Sequence, residues 1–279
     1  MPIASKMLLL SRYSMAMLTF LPDSPPAPPA FETVESHGEA SVLVVCDHAS
    51  SVLPPDLGDL GLAAADRFCH VAWDIGAAEV ARRLARRLDC PAVLTGISRL
   101  VIDCNRQPGD PSSIPAMSCG IEVPGNRGVD EAEALRRADH WFWPYHTEIG
   151  NRIGQLWRHG HAPAVVGVHS FTPCIRSGEE RPWHVGVLWN RDPRMARPVL
   201  DWLSARPGLV VGDNQPYSGR EINYTLDTHA GAAGLPNVSF EIRQDLVADA
   251  AGCERWADIL AEALEPVLAD KGLYRAEVY

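Results

Sequence analysis

The sequence has no CxxC pair, no HExxH helix, no internal repeat and no apolar run long enough to span a bilayer. Each absence removes a class of protein. Seven cysteines, Cys46, Cys69, Cys90, Cys104, Cys119, Cys174 and Cys253, are scattered without paired spacing, so they read as reduced, mostly buried thiols rather than a disulfide framework or a redox motif. That favours a cytoplasmic setting. Basic charge is not in excess either: 25 Lys and Arg stand against 35 Asp and Glu, a formal net charge of -10. The molecule as a whole therefore repels nucleic acid and anionic membranes, and neither is expected as a partner. A small-molecule substrate is expected instead, with a homo-oligomer open, because a few arginines in a cleft set the local field whatever the overall charge.

What is present suits one large α/β domain, since 279 residues at 46% hydrophobic can bury a full core. Met7 to Leu21 is apolar but short, interrupted by Arg12 and followed by PDSPPAPPA rather than a small-residue cleavage site. Five prolines between Pro22 and Ala30 favour extended backbone. Residues 1–30 thus read as an extension and linker, and 31–279 as the catalytic domain. Short β-branched runs predict strands at Ser41–Cys46, Ala92–Thr95, Leu100–Asp103, Ala164–Val168, Val185–Trp189, Leu209–Val211 and Val238–Ile242. Their near-continuous hydrophobicity is that of strands covered on both faces.

Between the strands, Ile75–Leu88 is an amphipathic helix whose arginines, Arg82, Arg83, Arg86 and Arg87, read as a solvated face. Val129–Leu156 is helix-rich, with Pro144 expected to kink or split it and Trp141, Trp143 and Trp157 expected in the core. Cys253–Leu273 closes the chain with another helix. The alternation argues for a mixed, largely parallel sheet with ligands at the carboxyl ends of its strands.

Chemistry gathers at those ends. In SVLVVCDHAS an apolar strand runs into Asp47 and His48, and in AVVGVHSFTP a second delivers His169 and Ser170. Two strand-end histidines can meet, and with a carboxylate they form the open site that zinc enzymes use. The candidate carboxylate is Asp74 in HVAWDIGA, which equally suits a helix N-cap. In SRLVIDCNR, Asn105 and Arg106 suit a substrate carboxylate, while Arg99 could face a developing oxyanion. The bland alternative is a salt bridge of Arg106 with Asp103 or Asp110. In VSFEIRQD, Glu241 lies inside an apolar run, where a carboxylate is costly unless paired or used. As general base it would take a proton from the attacking water and pass it to the leaving nitrogen.

The segments DHASSVLPPDLG, WDIGAAEVA, SRLVIDCNR, VHSFTP, PYSGREINYTLDTHAGAAGLP and EIRQD, in this order, resemble the N-formylglutamate amidohydrolase family. The resemblance covers roughly Phe31 to Ala269, and SRLVIDCNR is its most specific part. It implies a three-layer α/β sandwich with a zinc-carboxypeptidase-like (phosphorylase/hydrolase-like) fold, related to aspartoacylase and succinylglutamate desuccinylase. It also implies hydrolysis of N-formyl-L-glutamate with Zn²⁺ or another divalent metal. Carried over by motif, His48 and His169 hold the metal, Arg99 and Glu241 act on the amide, and Asn105 with Arg106 binds substrate. Within PYSGREINYT, Tyr217 and Arg220 join the substrate-binding set, with Tyr224 the alternative tyrosine. One departure stands out. The carboxypeptidase group has a metal glutamate three residues after its first histidine, where this chain has Ser51, so Asp74 is the substitute ligand.

Overall fold

The structure, a computed structural model, describes residues 27–38, 40–174, 178 and 180–279. The apolar Met7–Leu21 stretch lies outside the described residues. Seven strands form one sheet: β1 (Phe31–Val34), β2 (Val42–Cys46), β3 (Ala92–Thr95), β6 (Ala164–Phe171), β7 (Val185–Leu188), β8 (Val211–Asp213) and β9 (Asn237–Arg243). A separate hairpin pairs β4 (Met117–Ser118) with β5 (Ile121–Glu122). The sheet order is β1-β3-β2-β6-β9-β7-β8, with antiparallel pairs only at β1/β3 and β7/β9. Every residue of β2, β3, β6 and β7 is buried, as covered strands require.

Helices α1 (Ala77–Leu88), α2 (Glu131–Arg137), α3 (Trp143–Trp157), α4 (Ala196–Ser204), α5 (Tyr224–His229) and α6 (Ala250–Leu268) cover the two faces. Alternation along the strands divides the core between them. Val42, Val44, Val166, Val168, Phe240 and Ile242 pack with Leu84 of α1, Val199 of α4 and Leu260 of α6. Leu43, Val45 and Val165 pack with Tyr145 and Ile149 of α3 and Leu226 of α5. The result is a three-layer α/β sandwich. The arginine face of α1 is solvated but not unpaired: Arg82 holds Glu32, Arg83 holds Glu79, and Arg83 and Arg87 reach Glu254 of α6.

Five local expectations need correction. Leu100–Asp103 is a buried turn, not a strand, because the carbonyls of Leu100 and Val101 accept from the side chains of Asn126 and Arg137 instead of from a neighbouring strand. The strand expected at Leu209–Val211 sits at Val211–Asp213. Trp143 and Trp157 are 46% and 39% exposed, so only Trp141 is core. The last helix starts earlier and ends earlier than Cys253–Leu273, because Asp249 caps Gly252 N and opens it at Ala250. Pro144 does not break its region: the helix runs from α2 into α3 through a π segment over Ala138–Phe142 whose backbone stays right-handed helical, and the proline follows directly after it. Among the described residues no helix is long and apolar enough to cross a membrane.

Candidate active site

The alternation that packs Leu43 and Val45 toward α3 sends the next residue of that parity, Asp47, to the same side at the end of β2. In β6 the same parity runs Val165, Gly167, His169, and in β9 it runs Ser239, Glu241. His169 and Glu241 are direct neighbours in the β6/β9 register. His48 follows Asp47 out of the sheet. Asp74 arrives from the turn before α1, where its N–H donates to His48 O at 3.0 Å. The turn closes through Gly76 at φ 80, whose missing Cβ would stand 2.2 Å from Val247 O. Gly76, not Asp74, is the N-cap of α1, so the Asp74 carboxylate is left for other work.

That carboxylate bridges the two histidines. Asp74 Oδ2 lies 3.3 Å from His48 Nδ1 and 3.0 Å from His169 Nδ1. One donor atom from each of the three residues falls within 4.8 Å of the others, and all three are buried. Behind each imidazole stands a second carboxylate: His48 Nε2 meets Asp103 Oδ1 at 2.7 Å, and His169 Nε2 meets Asp47 Oδ2 at 3.2 Å. Asp47 is fixed by the hydroxyls of Tyr145 at 2.8 Å and Thr225 at 2.7 Å. Asp103 accepts from Arg99 Nη2 at 2.6 Å and from Asn105 N at 2.9 Å.

Burial opposes charge on every member of this cluster, yet the partners prevail. Burial would raise the Asp74 carboxyl, but His48 and His169 hold it well below the usual range. Asp103 is likewise held low by Arg99 and His48. His48 is pulled down by burial and Arg99, and Asp103 and Asp74 outweigh both to raise it. His169 is raised against burial by Asp47 and Asp74. Glu241 differs: burial first, then Asp74, pushes its carboxyl up to about 7 against the pull of His169. Its Oε2 is buried with no hydrogen-bond partner among the described residues.

Carboxylates dominate here, since Asp47, Asp74, Asp103 and Glu241 face Arg99 as the arginine bonded among them. Such a cluster calls for further positive charge, supplied by protons on the histidines or by a divalent cation. Two imidazole nitrogens, one carboxylate and a carboxylate behind each imidazole form a donor set that fits zinc. The chain matches the N-formylglutamate amidohydrolase family over residues 40–248. It belongs to that family.

An N-formylglutamate amidohydrolase family member should share its fold with others, and it does. A crystal structure of a gene product from Agrobacterium tumefaciens is 36% identical at a TM-score of 0.83, covering 86% of this chain and 95% of that one. The crystal structure of N-formylglutamate amidohydrolase from Ralstonia eutropha JMP134 is 19% identical at a TM-score of 0.60, over 87% of this chain and 97% of that one, a likeness of fold. Comparison with curated proteins gives no match.

Around the cluster of this family member opens a cleft of about 310 Å³, lined by His48, Asp74, Arg99, Asn105, Arg106, His169, Tyr217 and Glu241 among others. Asn105 Oδ1 accepts from Thr225 N at 3.0 Å, which leaves the Nδ2 amide as its donor toward a ligand. Arg106 forms no ion pair with Asp103 or Asp110. Tyr217 OH accepts from Arg181 Nη1 at 3.0 Å, so the tyrosine's own proton is free to donate. Arg220 is not brought to the cleft: it is exposed, with its guanidinium stacked 5.2 Å over the Trp189 ring. Tyr224 packs against Phe142 and His146, also away from it.

Asp47 and Asp103, the carboxylates behind the histidines, were not assigned that role from the sequence. Each interrupts an apolar run, the same signal that singled out Glu241. A second histidine pair, His146 and His229, joined at 2.9 Å, is not among the residues that line the cleft, and burial holds both below the usual imidazole range.

Proposed function

We propose that this protein is a metal-dependent amidohydrolase that removes the acyl group, formyl in the first instance, from a small amino acid with a free α-carboxylate. N-formyl-L-glutamate, giving formate and glutamate, is the substrate that family membership suggests. One observation carries the reading: His48, Asp74 and His169 converge in a single buried group beside Glu241, whose carboxyl is pushed up to about 7 and whose Oε2 is unpartnered. A binding module without turnover has no use for such a group.

His48, Asp74 and His169 would hold the cation, zinc by its donor set, and when bound it supplies Lewis-acid polarisation of the scissile carbonyl and a more acidic water. The chain's own groups do the rest. Glu241 takes the proton of the attacking water at Oε2 as the oxygen bonds to the carbonyl carbon, and returns it to the nitrogen as the C–N bond breaks. A carboxyl poised near neutral pH suits both halves of that transfer. Arg99, fixed by Asp103, faces the oxygen that gains negative charge. Arg106 binds the α-carboxylate through paired N–H donors, with the Asn105 amide beside it.

A second reading, deacylation of a different N-acyl amino acid, is favoured by the position of Arg220. Its exclusion from the cleft removes one cation from the expected substrate-binding set. The test is acyl release from N-formyl, N-acetyl and N-succinyl derivatives of Glu, Asp and neutral amino acids, by chelated and zinc-loaded protein, with metal analysis of the same samples. Zinc-dependent release from at least one N-acyl amino acid is expected. Release from none of them, by protein that holds its metal, would sink the proposal.

A further inference from the structure

Among the described residues the arginines that line the cleft are Arg99 and Arg106, and both belong to the loop that follows β3. A third guanidinium reaches the cleft wall from elsewhere. Arg181 lies in the loop that leads into β7, and its Nη1 donates to Tyr217 OH at 3.0 Å and, more weakly, to Thr172 O at 3.4 Å. Its Cζ stands 4.9 Å from the centre of the Tyr217 ring and 5.8 Å from that of Phe171, within range of cation–π attraction. Phe171, Thr172 and Tyr217 all line the cleft. Two rings and a carbonyl thus hold a half-buried cation directly against one stretch of its wall.

That cation has no carboxylate of its own. Among the described residues no Asp or Glu forms an ion pair with Arg181, whereas Arg243, which donates to the Arg181 carbonyl, holds Asp245. A half-buried guanidinium without a counter-ion suits a ligand that brings one. Tyr217 extends its reach. Because the phenol oxygen accepts from Arg181, the phenol proton points to another acceptor, and none is present among the described residues. Burial first, then Glu241, holds this phenol above its usual range against the pull of Arg181, so the proton stays in place at neutral pH. A carboxylate accepting from Tyr217 OH would sit close enough to the guanidinium for the full charge to act on it.

We propose that Arg181 and Tyr217 form the subsite for a second carboxylate, the one on the side chain of the amino acid, with the Tyr217 hydroxyl touching it and the Arg181 charge behind. Arg106 takes the α-carboxylate. The two anionic groups are then divided between loops from opposite sides of the β6/β9 pair, the strands that carry His169 and Glu241. Arg181 supplies the charge that Arg220, stacked on Trp189 outside the cleft, does not. The inference rests on the reading of the protein as an N-acyl amino acid amidohydrolase, and assigns the residues that read the side chain.

The experiment compares zinc-loaded protein on N-formyl-L-glutamate and N-formyl-L-glutamine, which match in size and differ in side-chain charge. The wild type should favour the glutamate derivative in kcat/KM by about 10- to 100-fold, as expected for one charge-assisted contact. Arg181→Met should erase that preference, chiefly through a higher KM for the glutamate derivative, and Arg181→Lys should restore part of it. Tyr217→Phe, which keeps the ring beside Arg181, should narrow the preference without erasing it. Calorimetric binding of both compounds to Glu241→Gln protein, with and without Arg181→Met, reads the preference apart from turnover. A wild type that uses the two compounds equally, or equal losses on both in Arg181→Met, would overturn this inference and leave the amidohydrolase reading intact. So would turnover of other N-acyl amino acids but of neither compound. Turnover of no N-acyl amino acid by metal-loaded protein would overturn both.

Discussion

The two faces of the central sheet are made from the same strands and end differently. Against α1, α4 and α6 the strands are apolar as Val44 and Cys46, Val166 and Val168, Phe240 and Ile242, and the one polar residue that follows on β6, Ser170, donates its hydroxyl to Ile75 O. Against α3 and α5 they begin with Leu43, Val45 and Val165 and finish in Asp47, His169 and Glu241. Because side chains alternate, one face can be packed for stability while the other carries buried charge. The second arrangement is costly on its own, since each buried carboxylate and imidazole must keep its partner. The account therefore expects the faces to fail separately when perturbed.

The largest effect belongs to the charged face. Glu241→Gln keeps the shape of the side chain and removes its capacity to accept a proton, so kcat should fall on the order of 10²–10⁴-fold. Thermal midpoint and bound metal should barely change. A destabilised protein with near-normal kcat would make Glu241 a structural residue.

On the apolar face, Leu84→Ala opens a cavity under α1 and should cost about 2–5 kcal/mol of unfolding free energy. Denaturant titration gives that number, and zinc stoichiometry measured in parallel should stay unchanged. A matching loss of metal would show that the faces are not separable.

Arg106→Ala should weaken the use of an N-acyl amino acid by about 1.5–3 kcal/mol while sparing its α-amide. Equal losses on the acid and the amide would assign Arg106 a structural part.

The smallest effect lies on the outer surface. The Glu133 carboxyl is held down to about 2, chiefly by the hydrogen bond from Arg136, with burial opposing it and the hydrogen bond from Arg137 adding to it. A carboxyl lowered in the folded state stabilises above its unfolded value, near 4.5, and loses that contribution as pH falls toward 2. Because Glu133 and Arg136 are both partly solvated, screening should hold the cost of Glu133→Gln to about 1 kcal/mol at pH 7. Thermal midpoints of the two proteins should converge near pH 2, and a gap that persists there would contradict the assignment.

The strand-end residues were the legible part of the site. His48, His169 and Glu241 stand out because each breaks an apolar run where a strand leaves the sheet. Asp74 could not be told from an N-cap by sequence, since both roles want an aspartate in the turn before a helix; the structure gives the cap position to the left-handed Gly76. Asp103 entered the sequence reading only as an alternative salt-bridge partner of Arg106, but the turn that carries it winds back to His48, 55 residues away in the chain. That turn was itself mistaken for a strand. Leu100, Val101 and Ile102 are apolar enough for one, and only side chains distant in sequence, Asn126 and Arg137, reveal where their carbonyls go. Arg220 fails for a related reason: a motif gives its neighbours, not the direction of its side chain, and here the Trp189 ring offers the guanidinium a platform outside the cleft.

The claim that the charged face is a cation site is tested most directly by calorimetric titration of Zn²⁺ into chelated protein. The account predicts one high-affinity equivalent per chain, retained in Glu241→Gln and abolished in His169→Ala. Absence of binding to the wild type, or binding that survives unchanged in His169→Ala, would contradict it.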